Sequence, residues 1–122
     1  DHFKSVNDRF SHQVGDEVLR IVARLLRDNC RSVDLLGRYG GEEFLMVLVE
    51  TSAKKARPIC ERIRECVADY PWHEIHPALT GLTLSMGLYS DRKAQTVQEL
   101  IAGADEQLYR AKAEGRNQVY AG

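Results

Sequence analysis

Arg38-Tyr39-Gly40-Gly41-Glu42-Glu43-Phe44-Leu45-Met46-Val47-Leu48-Val49 places a double glycine between two extended segments. The first segment is Leu35-Leu36-Gly37-Arg38, and together they read as a hairpin. The second arm is apolar almost without a break, which predicts a central strand covered on both faces. Glu42 and Glu43 would point to opposite faces of a flat strand. Beside Gly40-Gly41 the backbone turns, so both carboxylates can reach one site. Glycine admits a ligand close to the chain and permits positive φ. Glycines that admit a phosphate, followed by carboxylates that hold a divalent cation, suit Mg²⁺-nucleotide chemistry. On these residues alone, a turn followed by two solvated glutamates is the simpler reading.

On either side of the hairpin the periodicity lays out the rest of an α+β domain, with one mostly antiparallel sheet and helices packed on it. Residues 1–15 are polar and turn-like, punctuated by Asn7-Asp8 and Gly15-Asp16. Val18, Ile21, Val22, Leu25 and Leu26 follow the helical i, i+3, i+4 rule, predicting a helix from about Glu17 to Asn29 with Asp16 as its cap. A second helix lies within Ser52 to Asp69, with Ala56, Ile59, Cys60, Ile63 and Val67 on one face. Pro58 requires that this helix either start near Arg57 or kink. Pro71 ends it, and residues 72–78 form a loop. Leu82 to Tyr89 alternates like a strand. A third helix runs from about Val97 to Ala113 and stops at Gly115, leaving Asn117 to Tyr120 as a last short strand.

Composition narrows the function classes. The chain has 122 residues, enough for a single domain, with 43% hydrophobic and 29% charged residues. Seventeen Lys+Arg against eighteen Asp+Glu leave a net charge of −1, without the basic surplus that generic nucleic-acid or anionic-membrane binding needs. Cys30, Cys60 and Cys66 are odd in number and lack zinc-ligand spacing, which predicts reduced thiols and a cytoplasmic domain. Phe44 to Val49, the longest apolar run, is too short to span a bilayer. The start at Asp1-His2-Phe3-Lys4, without methionine, reads as a piece of a longer protein, which can still be membrane-anchored.

Arg38-Tyr39-Gly40-Gly41-Glu42-Glu43-Phe44 resembles the signature hairpin of the GGDEF family of diguanylate cyclases, in its GGEEF variant. Three other segments fit the family in order and distance: Asp1 to Asp8 with Gly15-Asp16, Ala104-Asp105 with Tyr109 to Lys112, and Gly115-Arg116-Asn117. The resemblance covers Asp1 to about Tyr120. It implies a ferredoxin-like, polymerase-palm-like fold shared with nucleotide cyclases. It also implies condensation of two GTP into cyclic di-GMP with release of two pyrophosphates, a bacterial second-messenger reaction needing a homodimer. By resemblance Asn7 and Asp16 recognise guanine, whose N1–H and N2–H donors suit a carboxylate. Asp16 as a helix cap and Asn7 as a turn residue are the competing readings. His12, preceded by Ser11 where the family has glycine, is carried over as a substrate contact; its alternative is a surface histidine. Glu42 is the expected catalytic residue and metal ligand, with Glu43 the next ligand, for two Mg²⁺ ions per GTP site or Mn²⁺ in their place. Gly40, Gly41 and the backbone around Phe3 and Lys4 are expected to cradle phosphate. Lys112 and Arg116 match contacts to the terminal phosphates, with Arg116 just past the helix end; a solvated basic helix tail is the other reading.

The family carries a further aspartate, a metal ligand, two residues before the position of Asp1. That residue and the first strand that bears it are missing from this chain, so the parent protein is expected to continue upstream into a sensor or dimerisation domain. Arg31-Ser32-Val33-Asp34 matches the family's RxxD product-inhibition site, which Arg62 completes; a surface salt bridge is its alternative. Arg31 and Arg62 would pair with phosphate or base, and Asp34 would accept from guanine. The rivals to an enzyme are a catalytically silent receptor for GTP or cyclic di-GMP and a structural dimerisation domain.

Overall fold

The computed structural model describes residues 1–122, which form two compact units. The first comprises His2–Glu50 and Asp69–Leu82; the second comprises Asp1, Thr51–Ala68 and Thr83–Gly122.

The first unit opens with α1 (Phe3–Arg9) and α2 (His12–Asp28). α1 falls where the sequence reads as turns. It buries only Val6 over seven residues, too little apolar pattern to betray a helix. α2 starts five residues earlier than Glu17, because the Ser11 hydroxyl accepts the Val14 N–H at 3.1 Å. The cap is therefore Ser11, and Asp16 sits inside the first turns with its carboxylate exposed. Ser11 has φ 180, extended backbone that any residue adopts, so its replacement of glycine costs nothing here. α2 buries Val18, Leu19, Ile21, Val22 and Leu26, close to the expected stripe. After the helices, Trp72–Glu74 forms a single 3₁₀ turn inside the expected loop. Trp72 is fully buried, its ring 4.7 Å from that of Tyr70.

β1 (Leu35–Arg38) and β2 (Phe44–Val47) pair antiparallel, with Leu35 opposite Val47 and Arg38 opposite Phe44. β2 is half-buried, not covered on both faces: Val47 is 44% exposed and its partner Leu35 64%. A continuous apolar run fixes extended backbone without fixing what lies on either side of it.

The second unit holds α3 (Ala53–Asp69), β3 (Met86–Leu88), α4 (Val97–Ala113) and β4 (Val119–Ala121). α3 begins at Ala53, so Pro58 is an interior residue and not a first-turn one. α4 has its expected limits; the Thr96 hydroxyl accepts the Glu99 N–H at 3.2 Å and Gly115 ends it at φ 115. α4 packs on β3 at the position of Gly87, where a Cβ would stand 2.1 Å from the Ala104 carbonyl oxygen. Only Met86–Leu88 of the expected Leu82–Tyr89 strand is paired, and it runs parallel to β4. The expected single antiparallel sheet is thus two separate two-stranded ladders, one antiparallel and one parallel. Periodicity identifies strands but carries no information on which strands hydrogen-bond to each other.

Asp34 ties the hairpin shut at its open end. The residue is 4% exposed, and its carboxylate accepts the Arg31 N–H at 2.9 Å, the Arg31 guanidinium at 3.0 and 3.3 Å, and the Val49 N–H at 3.0 Å. The Arg31 guanidinium also donates to the Val49 carbonyl. Hydrogen bonds from the Arg31 side chain and backbone hold the Asp34 carboxyl down to about 2, from an ordinary 3.8. The ionised form is therefore favoured in the folded state, so this contribution is complete above pH 3.8 and is lost as pH falls towards about 2. Thermal unfolding of wild type and Asp34→Asn from pH 6 to 2 measures it. Wild type should be the more stable at pH 6, with the difference shrinking between pH 4 and 2; a difference independent of pH would contradict this origin.

Candidate functional site

α1 and α2 approach closely because residue 15 has no side chain. A Cβ on Gly15 would lie 1.8 Å from Asn7 Oδ1 and 3.2 Å from the Phe3 ring. Asn7, Phe3 and the Gly15-Asp16 turn of helix are therefore neighbours. In the sequence Gly15 reads as punctuation; a glycine inside a helical segment is the signal that a neighbour needs its space. His12 opens α2, exposed. His2 adopts φ 58 ahead of α1, and the Phe3 and Lys4 amide N–H groups lie in the first turn, without intrahelical acceptors.

The hairpin loop spans Tyr39 to Glu43. The Tyr39 and Gly40 N–H groups donate to the Glu43 carbonyl at 2.8 and 3.3 Å. Arg38 braces the loop, its guanidinium donating to the carbonyls of Gly40 and Gly41. Neither glycine lies in the left-handed region, so what they contribute is space: a Cβ on Gly41 would meet nothing within 4 Å. Glu43 folds over Gly40, with Oε2 3.9 Å from where a Cβ would stand. Glu42 and Glu43 are exposed, and neither carboxylate has a hydrogen-bond or ion-pair partner.

No group of three or more His, Cys, Asp or Glu side chains is gathered in the chain. The carboxylate pair nevertheless fits Mg²⁺, which takes one or two carboxylates, keeps several waters and completes its shell with phosphate oxygens. Beside the hairpin a groove of about 650 Å³ is lined by Asp16, Arg20, Arg24 and Arg27 of α2 and by Arg38 and Phe44. Four guanidiniums and one carboxylate make it cationic, a suitable surface for a polyanion.

Lys112 lies in the last turn of α4, and Arg116 lies past its end at φ 64, as expected. Arg62 is exposed on α3. Arg31 and Asp34 form the expected pair, but both Asp34 oxygens already accept protein hydrogen bonds, so Asp34 holds Arg31 in place. Cys30, Cys60 and Cys66 are not joined in disulfides. No helix is long and apolar enough to cross a membrane.

The family described as "Diguanylate cyclase, GGDEF domain" matches residues 1–118. The chain is 43% identical over 121 residues to the response regulator PleD of Caulobacter vibrioides, covering 98% of this chain and 27% of PleD. Over 119 residues it is 41% identical to the diguanylate cyclase DosC of Escherichia coli and 40% identical to DgcP of Pseudomonas aeruginosa, covering 98% of this chain and 26% and 18% of those proteins. The chain thus spans about a quarter or less of these relatives. Its structure resembles the active GGEEF domain of a Vibrio cholerae diguanylate cyclase, with a TM-score of 0.90 at 34% identity over 99% of this chain and 76% of that one. It also resembles the GGDEF domain of DgcB from Caulobacter crescentus, solved with c-di-GMP, with a TM-score of 0.89 at 32% identity over 99% and 72%. This α+β chain belongs to the GGDEF family of diguanylate cyclase domains.

Proposed function

We propose that the protein bearing this chain is a diguanylate cyclase that condenses two GTP into cyclic di-GMP. The observation that carries the reading is the Glu42–Glu43 pair, set on a braced hairpin, exposed, and engaged by no protein group. In the reaction each 3′-hydroxyl oxygen attacks the α-phosphorus of the other GTP. Two P–O bonds form, two α–β phosphoanhydride bonds break, and two pyrophosphates and two protons leave. Glu42 and Glu43 would hold Mg²⁺, which when bound neutralises triphosphate charge and acidifies the attacking hydroxyl. Asn7 and Asp16 read the guanine edge, with His12 as a further substrate contact. The Phe3 and Lys4 amides and the open space at Gly40 and Gly41 receive phosphate, and Lys112 and Arg116 grip its terminal groups. Because one subunit holds one GTP and the product is symmetric, two copies are required.

Glu42→Gln keeps volume and removes the charge that holds the cation. It should abolish cyclic di-GMP formation while unfolding at the wild-type temperature; full activity in a folded variant would place the metal site elsewhere. Gly15→Ala tests the guanine assignment, since its methyl group must displace Asn7. Loss of one hydrogen bond of about 1 kcal/mol raises KM for GTP by roughly five- to tenfold. An unchanged KM would remove Asn7 from the guanine site.

Product feedback belongs to the same proposal. Arg31 has a guanidinium on the surface, its side chain 55% exposed, held by the buried Asp34. Cyclic di-GMP, a dianion with two guanines, suits Arg31 and Arg62, whose guanidiniums pair with phosphate and stack on bases. Arg31→Ala should weaken inhibition by added cyclic di-GMP about tenfold or more, from the loss of a charged hydrogen bond of about 1.5–3 kcal/mol. Equal inhibition of both proteins in progress curves would leave the pair as a structural tie alone.

A further inference from the structure

Asp1 sits at the centre of a polar cluster that the proposed chemistry leaves unused. Its Oδ1 accepts the Ser85 hydroxyl at 2.6 Å; its Oδ2 accepts the Thr83 hydroxyl at 2.8 Å and the Asn117 N–H at 3.2 Å. The Asp1 nitrogen donates to the Thr83 carbonyl at 2.7 Å. One carboxylate thus joins the segment leading into β3 to the turn that follows α4.

That turn is conformationally demanding. Gly115, Arg116 and Asn117 have φ values of 115, 64 and 49 in succession. Glycine takes this region freely, whereas an arginine keeps it only where its surroundings impose it. Here they do. The Arg116 N–H donates to the Ala111 carbonyl at 2.9 Å, and Arg64 donates to Asn117 Oδ1 at 3.0 Å. The Arg116–Asn117 peptide is gripped at both ends: Gln118 Nε2 donates to the Arg116 carbonyl at 3.1 Å, and the Asn117 N–H donates to Asp1. Fixing that peptide plane fixes the direction in which the Arg116 side chain leaves the backbone.

We infer that Asp1 is a positioning residue for Arg116: its carboxylate locks the left-handed turn after α4 and so aims the Arg116 guanidinium at the terminal phosphates of the nucleotide. Asp1 itself touches no nucleotide. The inference rests on the phosphate role proposed above for Arg116.

The test measures, in the full-length protein, the affinity for a GTP analogue that cannot react at the α-phosphorus, with GMP as the control. Asp1→Asn keeps the size of the side chain but replaces one acceptor oxygen by a donor. It should weaken the triphosphate about fivefold and leave GMP unchanged. Thr83→Val, which frees the same carboxylate oxygen, should weaken it about twofold and serves if Asp1→Asn does not fold. In Arg116→Ala, adding Asp1→Asn should cause no further loss, because both act through one group. In steady state Asp1→Asn should raise KM for GTP more than it lowers kcat; a merely structural role would lower the active fraction, and hence kcat, at unchanged KM. Wild-type triphosphate affinity in both Asp1→Asn and Thr83→Val, or losses additive with Arg116→Ala, would overturn the inference. Wild-type affinity in Arg116→Ala itself would overturn the phosphate role beneath it.

Discussion

The hairpin that presents Glu42 and Glu43 depends on a buried carboxylate at its opposite end. Asp34 accepts from Arg31 and Val49, and so closes the two chains that lead into and out of the β1–β2 ladder. Between that tie and the Arg38 brace on the loop carbonyls, four ladder positions run from Leu35–Val47 to Arg38–Phe44. A slip of one residue would turn every side chain to the other face. It would also leave the Asp34 carboxylate without the Val49 amide, an expensive loss for a buried charge. The register, and with it the placing of the two glutamates at the tip, is therefore fixed from both ends.

The same carboxylate gives the RxxD segment a double meaning. A surface ion pair contributes little to stability. This one differs because its acid is buried and shares its oxygens with two backbone amides. Asp34 is engaged internally, and the group it offers outward is Arg31. A ligand at Arg31 would meet a guanidinium already oriented by the fold and already bonded to the Val49 carbonyl, two residues past β2.

Much of this was legible in the sequence, for identifiable reasons. Helices with a buried apolar stripe, α2 and α3, were placed by periodicity, and α4 reaches its expected end because Gly115 stops it. The Gly40-Gly41-Glu42-Glu43 hairpin followed from its own residues. What periodicity could not carry was polar or non-local. α1 buries a single side chain, and the start of α2 is set by a serine hydroxyl ahead of any apolar residue. Strand partners are a matter of tertiary geometry, which is why one expected sheet became two ladders. For the proposed site, the sequence names motif positions but not the residues that support them in the fold. Gly15 acts by leaving room for Asn7, and Asp1 by holding residue 117 from far along the chain.

The proposed reaction would join two nucleotides, each held by its own copy of the domain, through their 3′-oxygens. The direct measurement incubates the full-length protein with GTP and Mg²⁺ and quantifies cyclic di-GMP and pyrophosphate together, over a range of protein concentrations. The account predicts two pyrophosphates for each cyclic di-GMP and a specific activity that rises with protein concentration until the dimer saturates. GTP bound without turnover, or specific activity independent of concentration in a strictly monomeric protein, would contradict it.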